Sequence, residues 1–318
     1  MLKRVLIANR GEIALRVLRT CREMGIDTVV VYSEADADSL PVQLAGRAVC
    51  IGRAKAAESY LNQDAILTVA KATGCDGIHP GYGFLSENAD FADACIQAGL
   101  TFIGPDGDAM RRAGDKAAAR GLMQEAGVPV TPGSDGIVET AQDALTAAER
   151  VGYPVLLKAC AGGGGRGIRR CDSEEELPGA FAEAKAEAKA CFGDDRMYLE
   201  KLVENPRHIE VQILADRFGN VIYLGDRDCS IQRRNQKLIE EAPAWNIKED
   251  MRRRMGEAAV RAARAVGYEN AGTVEFLVDG EQFYFMEMNT RIQVEHGITE
   301  LVCGIDLIRE QLRIASGL

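Results

Sequence analysis

Two kinds of hydrophobic spacing alternate along the first hundred residues. Residues 5–8 and 27–32 are apolar runs of strand length, and between them residues 11–24 carry Ile13, Leu15, Val17 and Leu18 at helical spacing. This predicts a β-α-β unit. A helix over 63–73, a strand at 77–78, a helix over 90–98 and a strand over 101–103 continue the alternation to Gly104-Pro105. One connecting helix is expected over 109–126, closed by Gly127 and Pro129. Beyond it come a helix over 141–151, strands over 153–159 and 168–171, a charged helix over 174–192, and a strand with a hinge over 197–203. From residue 208 the period is two: Ile209, Val211 and Ile213 alternate with His208, Glu210 and Gln212. A charged amphipathic helix over 247–266 leads to a predicted hairpin, 273–278 and 282–288, turned at Asp279-Gly280. A last helix is expected over 300–316, with Leu301, Ile305, Ile308 and Leu312 on one stripe.

Two acids interrupt the hairpin. Glu275 and Glu287 stand in otherwise apolar strands, where an unpaired carboxylate costs roughly several kcal/mol, so cations or hydrogen bonds must be near. Strand parity constrains the turn. A two-residue loop would put the acids on opposite faces, whereas a three-residue loop over 279–281 would set Glu275, Glu287 and Asn289 on one face. The odd loop is expected, with Glu287 diagonal to Glu275. Oxygen ligands of this kind suit Mg²⁺ or Mn²⁺, which commonly also hold phosphate oxygens. A half-exposed hairpin with its acids in water accounts for the same residues without a metal.

Composition narrows the class. The 318 residues allow two or three domains, and 47% hydrophobic with 27% charged residues is ordinary for a soluble globular protein. A net charge of -10 argues against general polyanion binding, so no nucleic-acid partner is expected. No segment has the length of a signal peptide or membrane span. Nine cysteines without a CxxC pattern suggest reduced, buried thiols in a cytoplasmic enzyme.

Several stretches carry candidate chemistry. The turn Asn9-Arg10-Gly11-Glu12 lacks the G-x-G-x-x-G of a dinucleotide site. The loop 79–88, HPGYGFLSEN, follows a strand of the parallel sheet, where ligands commonly bind, although a structural turn explains its glycines nearly as well. The glycine-rich run 162–167 joins two strands with Lys158 at its entrance. Its free N–H groups and the lysine suit phosphate oxygens, yet it is neither a Walker A loop nor part of a kinase. The charged stretch 226–237 is either a solvated loop or a source of cations for an anionic site. In 289–296 alternation puts Arg291, Gln293 and Glu295 on one face, with Arg291 placed to bind an oxyanion and Glu295 to remove its proton.

Together these segments resemble biotin carboxylase, the ATP-grasp component of biotin-dependent carboxylases, over essentially the whole chain. The resemblance rests on IANRGEIA at 7–14, HPGYGFLSEN at 79–88, GGGGRG at 162–167, ENPRHIEVQ at 204–212 and EMNTRIQVEH at 287–296. It implies a mixed α/β and α+β chain with an N-terminal Rossmann-like domain (1–112), a connecting helix (113–130), a glycine-rich ATP-grasp lid (131–203) and a C-terminal antiparallel-sheet catalytic domain (204–318). It implies ATP contacts by Lys116, Lys158, Gly164, Gly165, Glu200, Lys201, Leu202, Val203, His208 and Asn235. Mg²⁺ or Mn²⁺ would be held by Glu275, Glu287 and Asn289. Bicarbonate would be bound by Lys237, Arg291 and Val294, with Glu295 as general base. The implied partners are biotin on a carrier protein, a carboxyltransferase subunit and a second copy of the chain.

Asn235 stands where the family motif has histidine, and Gly297 where proline is usual. The family pattern continues past residue 318, so the third domain is expected to be incomplete. Two other readings use the same ATP site: a ligase that forms carbamoyl phosphate, and a nucleotide-binding interaction subunit without turnover.

Overall fold

The computed structural model describes residues 1–161, 167–234 and 236–318. Gly164, Gly165 and Asn235 lie outside the described residues, as does most of the glycine-rich run.

Strands β1 (Arg4–Ile7), β2 (Asp27–Ser33), β3 (Arg47–Gly52), β4 (Gly77–His79) and β5 (Thr101–Phe102) form a parallel sheet in the order β3-β2-β1-β4-β5. Strand order reverses at β1, so a crevice opens where the chain leaves β1 and β4. One sheet face and the helix Gly11–Glu23 share a core with Leu307, Ile308 and Leu312 of the C-terminal helix. The first and last parts of the chain are therefore packed together, joined also by Arg16 against Glu300 and Asp306.

The middle unit is a small antiparallel sheet, β6 (Val155–Ala159), β7 (Ile168–Cys171) and β8 (Met197–Lys201), in the order β7-β6-β8. Helices Ala141–Val151 and Leu177–Phe192 cover it, and Leu157, Phe181 and Leu199 lie in its core.

The third sheet, in the order β11-β10-β9-β12-β13, is antiparallel: β9 (Arg207–Ala215), β10 (Val221–Arg233), β11 (Gln236–Glu241), β12 (Asn270–Asp279) and β13 (Gln282–Asn289). The apolar half of the predicted alternation, Ile209, Val211 and Ile213, packs with Val274, Phe276 and helix Glu249–Val266. The polar half faces the other way and builds the site.

Five local expectations are corrected. The hairpin loop has two residues, because Asp279 pairs with Gln282 and Gly280 takes φ +57° between them. A register shift farther along restores the shared face: Phe276 pairs with Phe285 but Glu275 with Glu287, so the acids are directly opposed and not diagonal. The connecting helix is two helices, Gly107–Gly114 and Lys116–Glu125, since Asp115 accepts from Ala118 N–H and caps the second. The last helix is also two, His296–Cys303 and Leu307–Ala315; Gly304 adopts φ +71°, Asp306 caps the second, and Leu301 is exposed. Finally, 226–237 is no loop but the end of β10 and the start of β11, while 290–295 is irregular and does not extend β13.

Candidate active site

One row of charged residues crosses four strands. Arg227 on β10 pairs with Glu210 on β9, Glu210 with Glu275 on β12, and Glu275 with Glu287 on β13. Neighbouring strands lie only about 5 Å apart, so three successive carboxylates would repel. Cations from several elements relieve this. The fully buried Arg227 donates through Nε to Glu210 at 2.5 Å, and its other nitrogens reach Gln212, Thr273 and Thr299 at 2.8–3.1 Å. Lys237, from β11, donates to Glu210 (2.5 Å), Glu275 (2.8 Å) and Glu295 (2.8 Å). Lys116, the first residue of its helix, donates to Glu287 at 2.9 Å.

His208 closes the group. Its Nδ1 lies 2.8 Å from Gln232 Nε2, an amide nitrogen that can only donate, so the ring proton sits on Nε2, 2.8 Å from Glu275 Oε2. Burial works against ionising Glu275, but His208 and the Lys237 ammonium outweigh it and hold the carboxyl well below the usual range. Burial likewise disfavours the charged form of Lys237, yet Glu210, Glu275 and Glu295 push its pKa up. Glu295 is held low by Lys237 against its own burial. Glu275, Glu295 and Lys237 thus hold one another in their charged forms.

The donor set Glu275, Glu287 and Asn289 fits a hard divalent cation. All three offer oxygen, the donor type such an ion takes, and Lys237 on Glu275 and Lys116 on Glu287 are flexible ammonium groups that would turn away to admit it. Asn289 donates its amide to Glu275 Oε1 at 2.8 Å, leaving its carbonyl oxygen toward Arg291 Nη2 at 3.4 Å. Two other acid clusters, His208/Glu210/Glu275 and Glu210/Cys229/Glu295, fit a metal poorly. Both depend on Glu210, whose oxygens serve Arg227 and Lys237, and burial keeps the Cys229 thiol protonated by pushing its pKa up.

The remaining candidates fall into three places. Lys158 at the end of β6 lies 2.8 Å from the buried Glu200 on β8, which also faces Arg120 at 3.5 Å, so this acid is committed to two cations. Lys201, Leu202 and Val203 line a cavity of about 260 Å³ with Pro132, Pro154 and Tyr284. The Lys201 ammonium is spent on the carbonyls of Gly152 and Tyr153. Arg291 leaves β13 beside Asn289; its Nε donates to Glu87 at 2.8 Å, and among the described residues its Nη groups make long contacts of 3.3–3.4 Å. Val294 exposes its side chain.

Three participants are absent from the sequence expectation. Glu210 shares strand parity with His208, and that signal was available. Arg227 and Glu87 lie within the flagged stretches 226–237 and 79–88, but nothing there singled them out, because each acts on a residue distant in sequence. Among the described residues no helix is long and apolar enough to cross a membrane.

Residues 1–110 match the family model "Biotin carboxylase, N-terminal domain", and residues 115–318 match "Carbamoyl-phosphate synthase L chain, ATP binding domain". The chain is 56% identical to biotin carboxylase 1 of Bacillus subtilis over 320 residues, spanning all of this chain and 71% of that protein. Against the chloroplastic biotin carboxylase of Arabidopsis thaliana it is 56% identical over 99% of this chain and 59% of that one. A crystal structure of a biotin carboxylase complex from Campylobacter jejuni superposes with TM-score 0.97 at 54% identity, over the whole chain and 72% of its counterpart. The biotin carboxylase domain dimer of Hydrogenobacter thermophilus 2-oxoglutarate carboxylase, solved with MgADP, ADP and bicarbonate, gives 0.94 at 51% over the whole chain and 70% of that chain.

Proposed function

The chain belongs to the biotin carboxylase family, and on that premise we propose that it uses ATP and bicarbonate to carboxylate biotin on a carrier protein. The observation that carries this reading is the convergence of Glu210, Glu275 and Glu295 on Lys237, with Arg291 beside them through Asn289. It offers cations for an anionic reactant and a carboxylate for its proton in one place.

Lys116 and Lys158 would hold the phosphates, with Gly164 and Gly165 adding backbone N–H groups. Leu202 and Val203 would border the adenine with Glu200, Lys201, His208 and Asn235. Glu275, Glu287 and Asn289 would hold Mg²⁺ or Mn²⁺, which when bound neutralises phosphate charge. Val294 would serve bicarbonate through its main chain, since its side chain faces solvent.

Lys237 and Arg291 would bind bicarbonate. As the ammonium turns to this anion its hold on Glu295 weakens, and burial then raises the affinity of Glu295 for a proton. Binding would thus prepare the base that it needs. The deprotonated bicarbonate attacks the γ-phosphate to give carboxyphosphate and ADP. Carboxyphosphate breaks to CO₂ and phosphate, which takes the proton from the biotin ring nitrogen, and the biotin anion captures CO₂. Positioning and charge neutralisation supply most of the acceleration.

The functional units follow the four segments 1–112, 113–130, 131–203 and 204–318, working in the cytoplasm as a dimer with carrier and carboxyltransferase partners. The test is ATP hydrolysis by the purified chain with Mg²⁺, with and without bicarbonate, then with free biotin. Turnover should require bicarbonate, rise with biotin and vanish in Glu287→Lys. Stimulation by ammonia in place of biotin would instead favour carbamoyl phosphate formation. Nucleotide binding without turnover would favour an interaction subunit.

A further inference from the structure

The two glycine-bearing motifs of the parallel sheet have no role in the chemistry above, yet they meet the site through one contact. Asn9 follows β1, is buried, and donates from Nδ2 to the carbonyls of Pro80 (2.6 Å) and Tyr82 (2.8 Å). It clamps the loop that follows β4 across the crevice of the sheet. Gly81 at its apex takes φ +64°, and a Cβ there would lie 2.9 Å from the Asn9 amide nitrogen. The loop is thereby held in one shape, and its far end carries Glu87 across to β13.

Glu87 accepts from Arg291 Nε at 2.8 Å and from the backbone N–H of Thr290 at 3.2 Å. Among the described residues it is the short, charged contact of Arg291; those of the Nη groups are longer and lead to neutral oxygens. Holding a guanidinium by Nε fixes its plane while leaving the Nη edge to an anion. We propose that Glu87 is a positioning residue for bicarbonate, and that Asn9 sets it by clamping its loop. This rests on the role proposed for Arg291, and it makes the parallel-sheet domain a working part of the site.

Bicarbonate affinity, read by ¹³C line broadening of [¹³C]bicarbonate, and the KM for bicarbonate and ATP test this in the full chain. Glu87→Ala should weaken bicarbonate by about tenfold or more, the loss expected of one charge-assisted hydrogen bond that orders an arginine. Glu87→Gln, which can still accept from Nε, should lose less, and Asn9→Ala should shift bicarbonate in the same direction as Glu87→Ala. The KM for ATP should stay within about twofold in all three, as the ATP contacts lie elsewhere. Unchanged bicarbonate affinity in Glu87→Ala, or equal losses for ATP and bicarbonate, would overturn the proposal. A wild-type chain that binds bicarbonate without turning over counts against the carboxylation reading alone, while one that binds none defeats both.

Discussion

Three carboxylates surround one cation at two places in this molecule. On the parallel-sheet domain, Arg111 meets Asp90, Asp93 and Asp108 at 2.6–3.2 Å, with exposures of 46% for the arginine and 85%, 35% and 78% for the acids. On the C-terminal sheet, Lys237 meets Glu210, Glu275 and Glu295, whose exposures are 0%, 5% and 4%. The local composition is nearly the same and the consequence is not. Around Arg111 water screens each pair, and such contacts contribute little. Around Lys237 the effective dielectric is lower, so each charge has a large hold on the protonation of the others. That coupling is what lets an incoming anion change the basicity of Glu295.

The largest test removes the buried cation. Lys237→Met should lower bicarbonate-dependent turnover by about a thousandfold or more, as loss of a preorganised cation does. It should also cost about 3–5 kcal/mol by leaving buried acids uncompensated, read as a lowered denaturant midpoint. A variant that keeps a tenth of the turnover would reduce the cluster to a structural brace.

A buried base sharpens the contrast. His79 is fully buried, and burial pushes its pKa down to about 4. The unfolded chain takes up this proton below about 6.5 and the folded chain does not, so stability should fall between pH 6.5 and 4 by on the order of 3 kcal/mol. His79→Gln should flatten the melting temperature over that window; an unaltered slope would mean that the ring is protonated in the folded protein.

In that background the acids become visible. The lowered pKa values of Glu275 and Glu295 give stability that is present above the ordinary carboxylate range and lost as pH falls below about 4.5. The raised pKa of Lys237 gives stability present below about 10.5 and lost as pH climbs through its higher folded value. Thermal melts should therefore show a constant contribution from Glu275, Glu295 and Lys237 between about pH 5 and 10, with the losses confined to either side. The smallest effect belongs to the exposed twin. Arg111→Ala should leave both melting temperature and turnover within experimental scatter at physiological salt, and a clear loss would show that exposure is a poor guide to the worth of such clusters.

Much was legible along the chain because periodicity reports burial locally. The β-α-β units, the alternation from His208 and the acid-bearing hairpin all follow from which side chains must leave water. The expectation that Glu275 and Glu287 have cations or hydrogen bonds near them also follows from sequence, since an unpaired carboxylate is costly in an apolar strand. Helix breaks at Asp115 and Gly304 were masked, because apolar spacing ran on across each cap. The strand segments over 226–241 were hidden by their own polarity, a consequence of facing the site and, for β11, of lying at the sheet edge, whereas the apolar run 221–224 was legible and passed over.

What only the tertiary structure decided is which charge answers which. From the sequence, Glu275 and Glu287 were expected to share a face through a three-residue loop; the register shift between Glu275 and Phe276, not the loop length, brings the shared face about. The sequence called for cations or hydrogen bonds, but Lys116 and Lys237 lie 171 and 38 positions from Glu287 and Glu275 and are brought to them by two different elements. Glu87 and Arg291, 204 positions apart, meet because the parallel sheet and the C-terminal sheet share a core. Side-chain spacing encodes burial one element at a time, whereas the pairing of charges depends on distances that exist only after those elements pack.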